Sequence, residues 1–261
     1  MHKHPEEFEH HHHDPLIFPS GFLWGTATAS YQIEGENKNS DWWPWEKVKF
    51  KGHSEHQSGK ASGHYTRFKQ DWKLAKDLGH NVHRLSIEWA RVEPEPGVWD
   101  QNELKHYKDS LRALKSQGLT TFVTLHHFTN PIWFTARGGW TKKSSIFYFT
   151  RYARKMQEEL DGMVDFWITI NEPMIYIQNS FVNGTWPPQK KSLFKALCVF
   201  RNMSRAHKKI YKVFTKICIQ QEEKVPNIGI AQNVIDFRTY EMGGSIVDYL
   251  FYKPALDNNS I

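Results

Sequence analysis

Hydrophobic residues along the chain alternate between two spacings, and this alternation predicts the fold. Short runs that are mostly apolar or β-branched predict strands at residues 21–30, 81–89, 119–128, 165–171 and 227–233. Between these runs, apolar residues recur every three or four positions and predict helices at residues 67–79, 99–118, 144–160, 192–219 and 244–256. A helix between two apolar strands carries the chain back across the sheet, so the strands pair in parallel. We therefore expect an α/β fold with five parallel strands.

The helix predicted at residues 99–118 has the clearest boundaries. Asp100 and Glu103 stand three positions apart, which is the capping-box pattern, and Gly118 closes the helix. Residues 35–63 show no comparable pattern and are rich in Trp, His, Lys, Gly and Ser, so they predict a long loop. A long loop inside a compact domain usually serves a function.

Polar residues collect at the carboxyl ends of the predicted strands. They are Gln32, His126, His127, Asn171, Glu172 and Asn233. (β/α)₈ barrels place their chemistry at this face. A doubly wound sheet is the alternative, but the turn after the first strand, GTATASYQIEG, lacks the G-x-G-x-x-G pattern. We therefore expect a (β/α)₈ barrel of the TIM type, incomplete, with about five of its eight βα units present in this chain.

The segment FWITINEP (166–173) allows two interpretations. Its apolar half suits a strand that is buried on both faces, whereas Asn171 and Glu172 do not suit a core. The structural interpretation is a helix N-terminus, with Asn171 as the cap and Pro173 in the first turn. The functional interpretation is a carboxyl group that acts as a general acid at the mouth of the barrel. The segment alone favours neither interpretation.

Composition narrows the classes of partner. The formal charge is +6, but Lys and Arg are scattered, so we expect a solvated surface and no nucleic-acid partner. No apolar run reaches the length of a membrane span, so we expect no membrane partner. Aromatic residues make up 15% of the chain, including 11 Trp, which suits either a dense core or a pocket for sugar rings.

The termini and the cysteines bear on the location in the cell. Residues 1–17 are rich in His and predict a disordered tail, without the apolar stretch of a secretion signal. Cys198 and Cys218 fall in one predicted helix, where about twenty residues separate them by roughly 30 Å. This distance is too great for a disulfide, and two free thiols suit a reducing, cytoplasmic location.

Four segments, taken together, are typical of one protein family. They are FPSGFLWGTATASYQIEG (18–35), HRLSIEWARVEPEPGVWD (83–100), FVTLHHFTNPIWF (122–134) and FWITINEP (166–173). Through these segments the chain resembles glycoside hydrolase family 1, the β-glucosidase and β-galactosidase family. The resemblance implies a partial (β/α) barrel over residues 18–261, and a retaining hydrolase of β-glucosides or β-galactosides that uses no metal or organic cofactor.

The resemblance also implies catalytic roles. Glu172 matches the family's acid/base, which protonates the leaving-group oxygen and later activates water. Asn171 matches the group that binds the sugar 2-hydroxyl, a contact that strengthens in the transition state. Arg84 matches the arginine that lies beside the nucleophile and keeps it ionised.

Further positions match the family's sugar ligands or adjoin them. Gln32 and His127 match ligands of the glycone hydroxyls, and Asn233 is expected on the aglycone side. His126 and Thr129, in contrast, are expected to be structural.

Several other side chains near the expected site carry no assigned chemistry. Glu88 could share a face with Arg84, where a structural ion pair is favoured over catalysis. Trp42, Trp43 and Trp45 either cover the mouth of the site or pack the long loop, and the sequence leaves both open.

The chain departs from the family pattern in its pocket walls and in its nucleophile. Phe128 and Met174 stand where the family often has Trp. No segment like I-T-E-N-G, which carries the family's nucleophile, occurs before Ile261. Retaining hydrolysis needs two carboxyl groups about 5–5.5 Å apart, and only one is identified.

These departures lead to two expectations about the whole chain. One is an incomplete β-glycosidase that lacks its nucleophile-bearing half, and the alternative is an inactive remnant that binds a sugar or a partner protein. In both cases, open sheet edges predict self-association or a complementing chain.

Overall fold

A computed structural model describes residues 17–50, 56–220 and 227–234. The predicted helix at 244–256 and nearly all of the predicted N-terminal tail lie outside these described residues. The described residues form a layer of parallel strands with helices packed on its outer side.

All five predicted strands are present and form one sheet. They are β1 (Gly25–Ala27), β2 (Val82–Ser86), β3 (Thr120–His126), β4 (Phe166–Asn171) and β5 (Asn227–Ala231). Every neighbouring pair is parallel and the strands follow one another in chain order, as they do in a barrel wall. Arg84 of β2 lies opposite Phe122 of β3, which in turn lies opposite Phe166 of β4. This register places the carboxyl ends of the three central strands side by side.

The long helices also follow the predicted periodicity. They are α3 (His64–Asp77), α5 (Gln101–Ser116), α7 (Ser145–Glu159) and α9 (Leu193–Gln220). Asp100 caps α5 by accepting hydrogen bonds from the amides of Asn102 and Glu103 at 2.9 and 3.2 Å. Cys198 and Cys218 both lie on α9 and form no disulfide with each other, as the sequence predicts. Among the described helices, none is long and apolar enough to cross a membrane.

Shorter helices depart from the predictions. They are α1 (Ser30–Ile33), α2 (Trp42–Lys49), α4 (Trp89–Val92), α6 (Ile132–Ala136) and α8 (Pro173–Ile177). The prediction of a loop at 35–63 is therefore wrong in part, because α2 lies within it. The predicted strands at 21–30 and 81–89 are also too long, since α1 follows β1 closely and residue 89 already belongs to α4. A helix of one or two turns shows no clear 3.6-residue period in the sequence.

The core lies between the sheet and the long helices. Val123 of β3 and Trp167 of β4 face outward, where Trp167 meets Phe214 of α9 with ring centroids 5.3 Å apart. Leu111 of α5 and Met156 of α7 complete this layer and are fully buried. Since the outer face of the sheet carries the apolar packing, the opposite face and the strand ends are available for polar side chains.

Candidate functional site

The three central strands bring their polar side chains into one hydrogen-bonded group. Arg84 of β2 donates from Nη2 to Asn171 Oδ1 at 2.5 Å and from Nε to Thr124 Oγ1 at 2.9 Å. The amide nitrogen of Asn171 lies 3.4 Å from Nε2 of His127, which directly follows β3. Arg84 and Asn171 are 87 residues apart in sequence, so only the strand register brings them together.

Charge in this group is set by burial. Burial lowers the pKa of His127 to about 3, with the positive charge of Arg84 as a second cause, so the imidazole is neutral at physiological pH. Burial also lowers the pKa of Arg84, while the negative charge of Glu172 acts in the opposite direction. The Glu172 carboxylate is therefore close enough to Arg84 to stabilise its positive charge.

Glu172 occupies the junction between β4 and α8. Its backbone amide donates to the carbonyl of Ala231 at 2.7 Å, and its φ of 41° lies in the left-handed region. A non-glycine residue in that region is strained, and such residues cluster at functional sites. The side chain makes no capping hydrogen bond and is half-buried. The carboxyl group is therefore not engaged in capping the helix.

The structural interpretation of FWITINEP is thus correct in part, and the general-acid interpretation stays a prediction. A helix does start at this segment, with Pro173 in its first turn. The expectation that Asn171 caps this helix is wrong, because Asn171 is the last residue of β4 and its side chain binds Arg84. Glu172 holds the cap position instead.

Gln32 and Asn233 come from the edges of the sheet and do not join the central group. Gln32 lies on α1, and its exposed side chain has no hydrogen-bond partner among the described residues. Asn233 follows β5, is exposed, and takes part only through its backbone carbonyl, which accepts from the Gln232 side chain at 3.3 Å. Of the predicted site residues, the structure therefore joins Arg84, His127 and Asn171 through their side chains, and Glu172 adjoins Asn171 at the end of β4.

His126 is buried in a polar cluster behind the central group, as expected of a structural residue. Its Nε2 lies 3.1 Å from Asn130 Oδ1 and 3.3 Å from Trp140 Nε1. Asn130 in turn donates to Asp41 and Tyr176 at 3.0 and 3.1 Å. This cluster fixes the chain that follows β3, including His127.

The expected ion pair of Glu88 is wrong. Glu88 is 1% exposed and accepts hydrogen bonds from the hydroxyls of Ser30 and Thr129 instead, and within the described ranges it has no ion pair. The strand β2 ends at Ser86, so the side-chain alternation that would have placed Glu88 on the face of Arg84 is lost. Thr129, in contrast, is structural as expected.

Two tryptophans on α2 differ in their surroundings, one towards the site and one within the segment predicted as a loop. Trp42 contacts Trp186 with ring centroids 5.3 Å apart, and Trp186 contacts Phe128, which adjoins His127, at 4.9 Å. Trp45 packs at 6.0 Å on Phe50 within the former loop segment. An aromatic wall therefore reaches the central group from α2.

Thr124 was missed by the sequence analysis, although its spacing gave a signal. It is two residues beyond Phe122, and thus on the same face of β3 as the residue opposite Arg84.

Metal binding finds no support in the described ranges, where no group of three or more His, Cys, Asp or Glu side chains could hold an ion.

Comparisons with known proteins agree with this architecture. The family model described as glycosyl hydrolase family 1 matches residues 15–237. Beta-glucosidase A of Thermotoga maritima is 33% identical over 222 residues, which is 83% of this chain and 49% of that protein. The 6-phospho-beta-galactosidase of Clostridium acetobutylicum is 34% identical over 209 residues, or 78% of this chain and 44% of that protein.

Solved structures agree as well. A beta-glycosidase from Pyrococcus horikoshii has a TM-score of 0.76 at 36% identity, and covers 84% of this chain and 49% of its own. A beta-glucosidase from Thermotoga maritima in complex with methoxycarbonyl-substituted glucoimidazole has a TM-score of 0.75 at 32% identity, with 83% and 50% covered. These neighbours are TIM barrels, which confirms the predicted partial (β/α)₈ architecture. The chain spans about half the length of these relatives. It belongs to glycosyl hydrolase family 1.

Proposed function

We propose that the protein is a retaining β-glycosidase that acts on β-glucosides or β-galactosides, with Glu172 as the acid/base. The single observation that carries this proposal is the Glu172 carboxyl group, which follows Asn171 at the end of β4 and whose negative charge acts on Arg84. A general acid must reach the glycosidic oxygen, and a half-buried carboxyl group at the open end of a barrel strand can do so.

The neighbouring side chains suit complementary roles. Within the described residues, the amide nitrogen of Asn171 makes one long contact, 3.4 Å from His127 Nε2, so it can donate to the sugar 2-hydroxyl instead. Arg84 supplies positive charge beside the reacting centre and would hold a second carboxylate in its ionised form. Metal or cofactor chemistry is not part of this proposal.

The sugar-binding roles extend to the sheet edges. We assign the glycone hydroxyls to His127 and to Gln32, whose exposed amide can both donate and accept. We place Asn233 on the aglycone side, since it follows β5 next to the strand of Glu172.

The nucleophile is assigned to no residue, because the 261-residue sequence contains no segment like I-T-E-N-G. A retaining mechanism would need a second carboxyl group about 5–5.5 Å from Glu172. The second candidate function is sugar binding without catalysis, for which Arg84, His127 and Asn171 already form a polar group.

An external nucleophile distinguishes the two functions. With 2,4-dinitrophenyl β-D-glucoside and sodium azide, azide would form a bond to C1 while the bond from C1 to dinitrophenolate breaks, which yields α-glucosyl azide. The dinitrophenolate needs little protonation, whereas phenol, from phenyl β-D-glucoside, needs a proton from the acid. We expect Glu172→Gln to slow the phenyl glucoside by about 10²-fold or more and the dinitrophenyl glucoside only a few-fold.

The matched control is Glu158→Gln, an exposed carboxyl group on α7 that is paired with Arg154 at 2.8 Å. It should leave both rates unchanged. Binding of the glucosides without turnover, with and without azide, would favour the sugar-binding alternative. The same assays with β-galactosides, and with their 6-phosphates, identify the glycone.

We further propose a cytoplasmic location. The observation behind it is that the two cysteines lie about twenty residues apart on one helix, where no disulfide can join them. Cell fractionation tests this proposal, and recovery of the protein outside the cytoplasmic fraction would contradict it.

A further inference from the structure

Glu88 is a buried carboxyl group that the proposed mechanism does not use. It lies where β2 leads into α4 and is 1% exposed. Its carboxylate accepts from the Thr129 hydroxyl at 3.1 and 3.2 Å and from the Ser30 hydroxyl at 3.3 Å. Burial of a carboxyl group is costly unless hydrogen bonds compensate for the lost water, and these two hydroxyls provide that compensation.

The two hydroxyls belong to the two segments that carry the proposed glycone ligands. Ser30 is the first residue of α1, and Gln32 lies on the same turn. Thr129 stands two positions after His127, and the intervening Phe128 has a left-handed φ of 72°. One carboxyl group therefore joins two segments that are separated by about a hundred residues of sequence.

The far end of α1 is anchored by the same region. Glu34, which follows α1, accepts from Arg91 Nε at 2.9 Å and from the Tyr107 hydroxyl at 3.0 Å. The Tyr107 oxygen also accepts from the backbone amide of Glu88 at 3.1 Å. Gln32 thus lies between two anchors, although its own side chain makes no hydrogen bond among the described residues.

We infer that Glu88 is a positioning residue for sugar binding, which holds the Gln32 segment and the His127 segment at a fixed separation. This inference rests on the proposed function for the role of the two ligands. Two groups that bind one sugar ring need a fixed separation, and a group without side-chain partners can gain it only through its backbone.

A purely local role explains the structure less well. Glu88 caps α4, but its side chain accepts from the Ala90 amide at the long distance of 3.4 Å. A serine or threonine cap would serve this four-residue helix without a buried carboxyl group. The hydroxyls of the two distant segments make the shorter contacts.

Hydrogen–deuterium exchange tests the coupling without any sugar. In Glu88→Ala, we expect exchange to become about tenfold faster both in peptides that cover residues 28–36 and in those that cover 124–132, with α9 unchanged. Glu88→Gln keeps the shape and an acceptor oxygen, so it should restore most of the protection. Ser30→Ala and Thr129→Val should each loosen mainly their own segment.

Two exchange results would overturn the inference. One is faster exchange in Glu88→Ala that is confined to residues 88–93, which would make Glu88 a helix cap only. The other is equal loosening of both segments in Ser30→Ala, because the coupling would then not pass through the carboxyl group. If Glu88→Ala does not fold, the hydroxyl variants and Glu88→Gln still decide between these outcomes.

Calorimetric titration with phenyl β-D-glucoside tests the role in binding. We expect the Kd to rise about tenfold in Glu88→Ala and to return close to the wild-type value in Glu88→Gln. Glu158→Gln, at an exposed carboxyl group on α7, is the control and should leave the Kd unchanged. Loosened segments with an unchanged Kd would reduce Glu88 to a structural residue. A wild-type protein that binds no glucoside would refute the proposed function, while the exchange experiment would still decide the coupling.

Discussion

Polar residues on the central strands make side-chain contacts with one another, whereas those near the edge strands do not. On β2, β3 and β4, Arg84 and Asn171 bind each other directly, and Thr124 and His127 complete their contacts. At the edges, β1 is exposed at all three positions and β5 at three of its five, and Gln32 has no side-chain partner in the described ranges. A residue between two neighbouring strands is positioned by its side-chain contacts, whereas a residue at an edge depends on what holds its backbone.

The two edges also differ from each other. The segment that carries Gln32 is anchored through Ser30 and Glu34 to buried carboxyl and hydroxyl groups. Among the described residues, Asn233 has no comparable anchor, and its backbone carbonyl accepts a hydrogen bond from the adjacent Gln232. An exposed ligand can therefore be well positioned at one edge, and poorly positioned at the other, within a single sheet.

The largest expected effect comes from a change in the centre. Arg84→Ala leaves the side-chain oxygens of Asn171 and Thr124 without their donors, so we expect the free energy of unfolding to fall by about 3 kcal/mol. Gln32→Ala removes an exposed side chain and should change it by less than about 0.5 kcal/mol. Urea denaturation of both variants measures the difference, and losses of equal size would contradict the distinction between centre and edge.

The anchor of the Gln32 edge should show itself in the pH dependence of stability. Burial raises the pKa of Glu88 to about 7, from an ordinary value of 4.5, so the folded state binds a proton that the unfolded state releases. This stabilisation is complete below the unfolded value and is lost as the pH rises through the folded value. We expect Glu88→Gln to gain about 2 kcal/mol relative to the wild type between pH 5 and pH 7.

The comparison with Glu88→Gln also cancels the effect of buried histidines on the pH dependence of stability. Burial lowers the pKa of His126 to about 4 and that of His127 to about 3, and such groups destabilise the folded state as the pH falls. These histidines are present in both proteins, so their effect cancels in the difference. Urea denaturation at pH 5, 6, 7 and 8 gives the curves, and two parallel curves would refute the shift assigned to Glu88.

The smallest expected effect concerns association at the open edge. β5 pairs only with β4 in the described part of the chain, and the Ile230 side chain is 38% exposed. Exposed edges promote pairing between chains, so we expect the mass measured by light scattering to rise with protein concentration. Ile230→Lys should weaken this rise, whereas Ile132→Lys, at a similarly exposed isoleucine on α6, should not. A wild-type protein that stays monomeric would contradict the expectation.

Sequence periodicity alone determined the five strands and the long helices, and their alternation determined that the strands are parallel. The central strands and the long helices bury one face or both, and burial imposes its period on the residues of each element itself. The acidic residue at the end of β4 could be singled out in the same way, because a carboxyl group is out of place after an apolar strand. The helices of four residues, α1 and α4, were missed because they are too short to display a period.

Only the tertiary structure decided which polar groups meet. Arg84 binds Asn171 across 87 residues, and Glu88 binds Ser30 and Thr129 across 58 and 41 residues. These contacts depend on the register of the strands and on the exact residue at which each strand ends, and a shift of one residue turns a side chain to the opposite face. The ion pair expected for Glu88 failed for this reason, since β2 ends before the alternation reaches it.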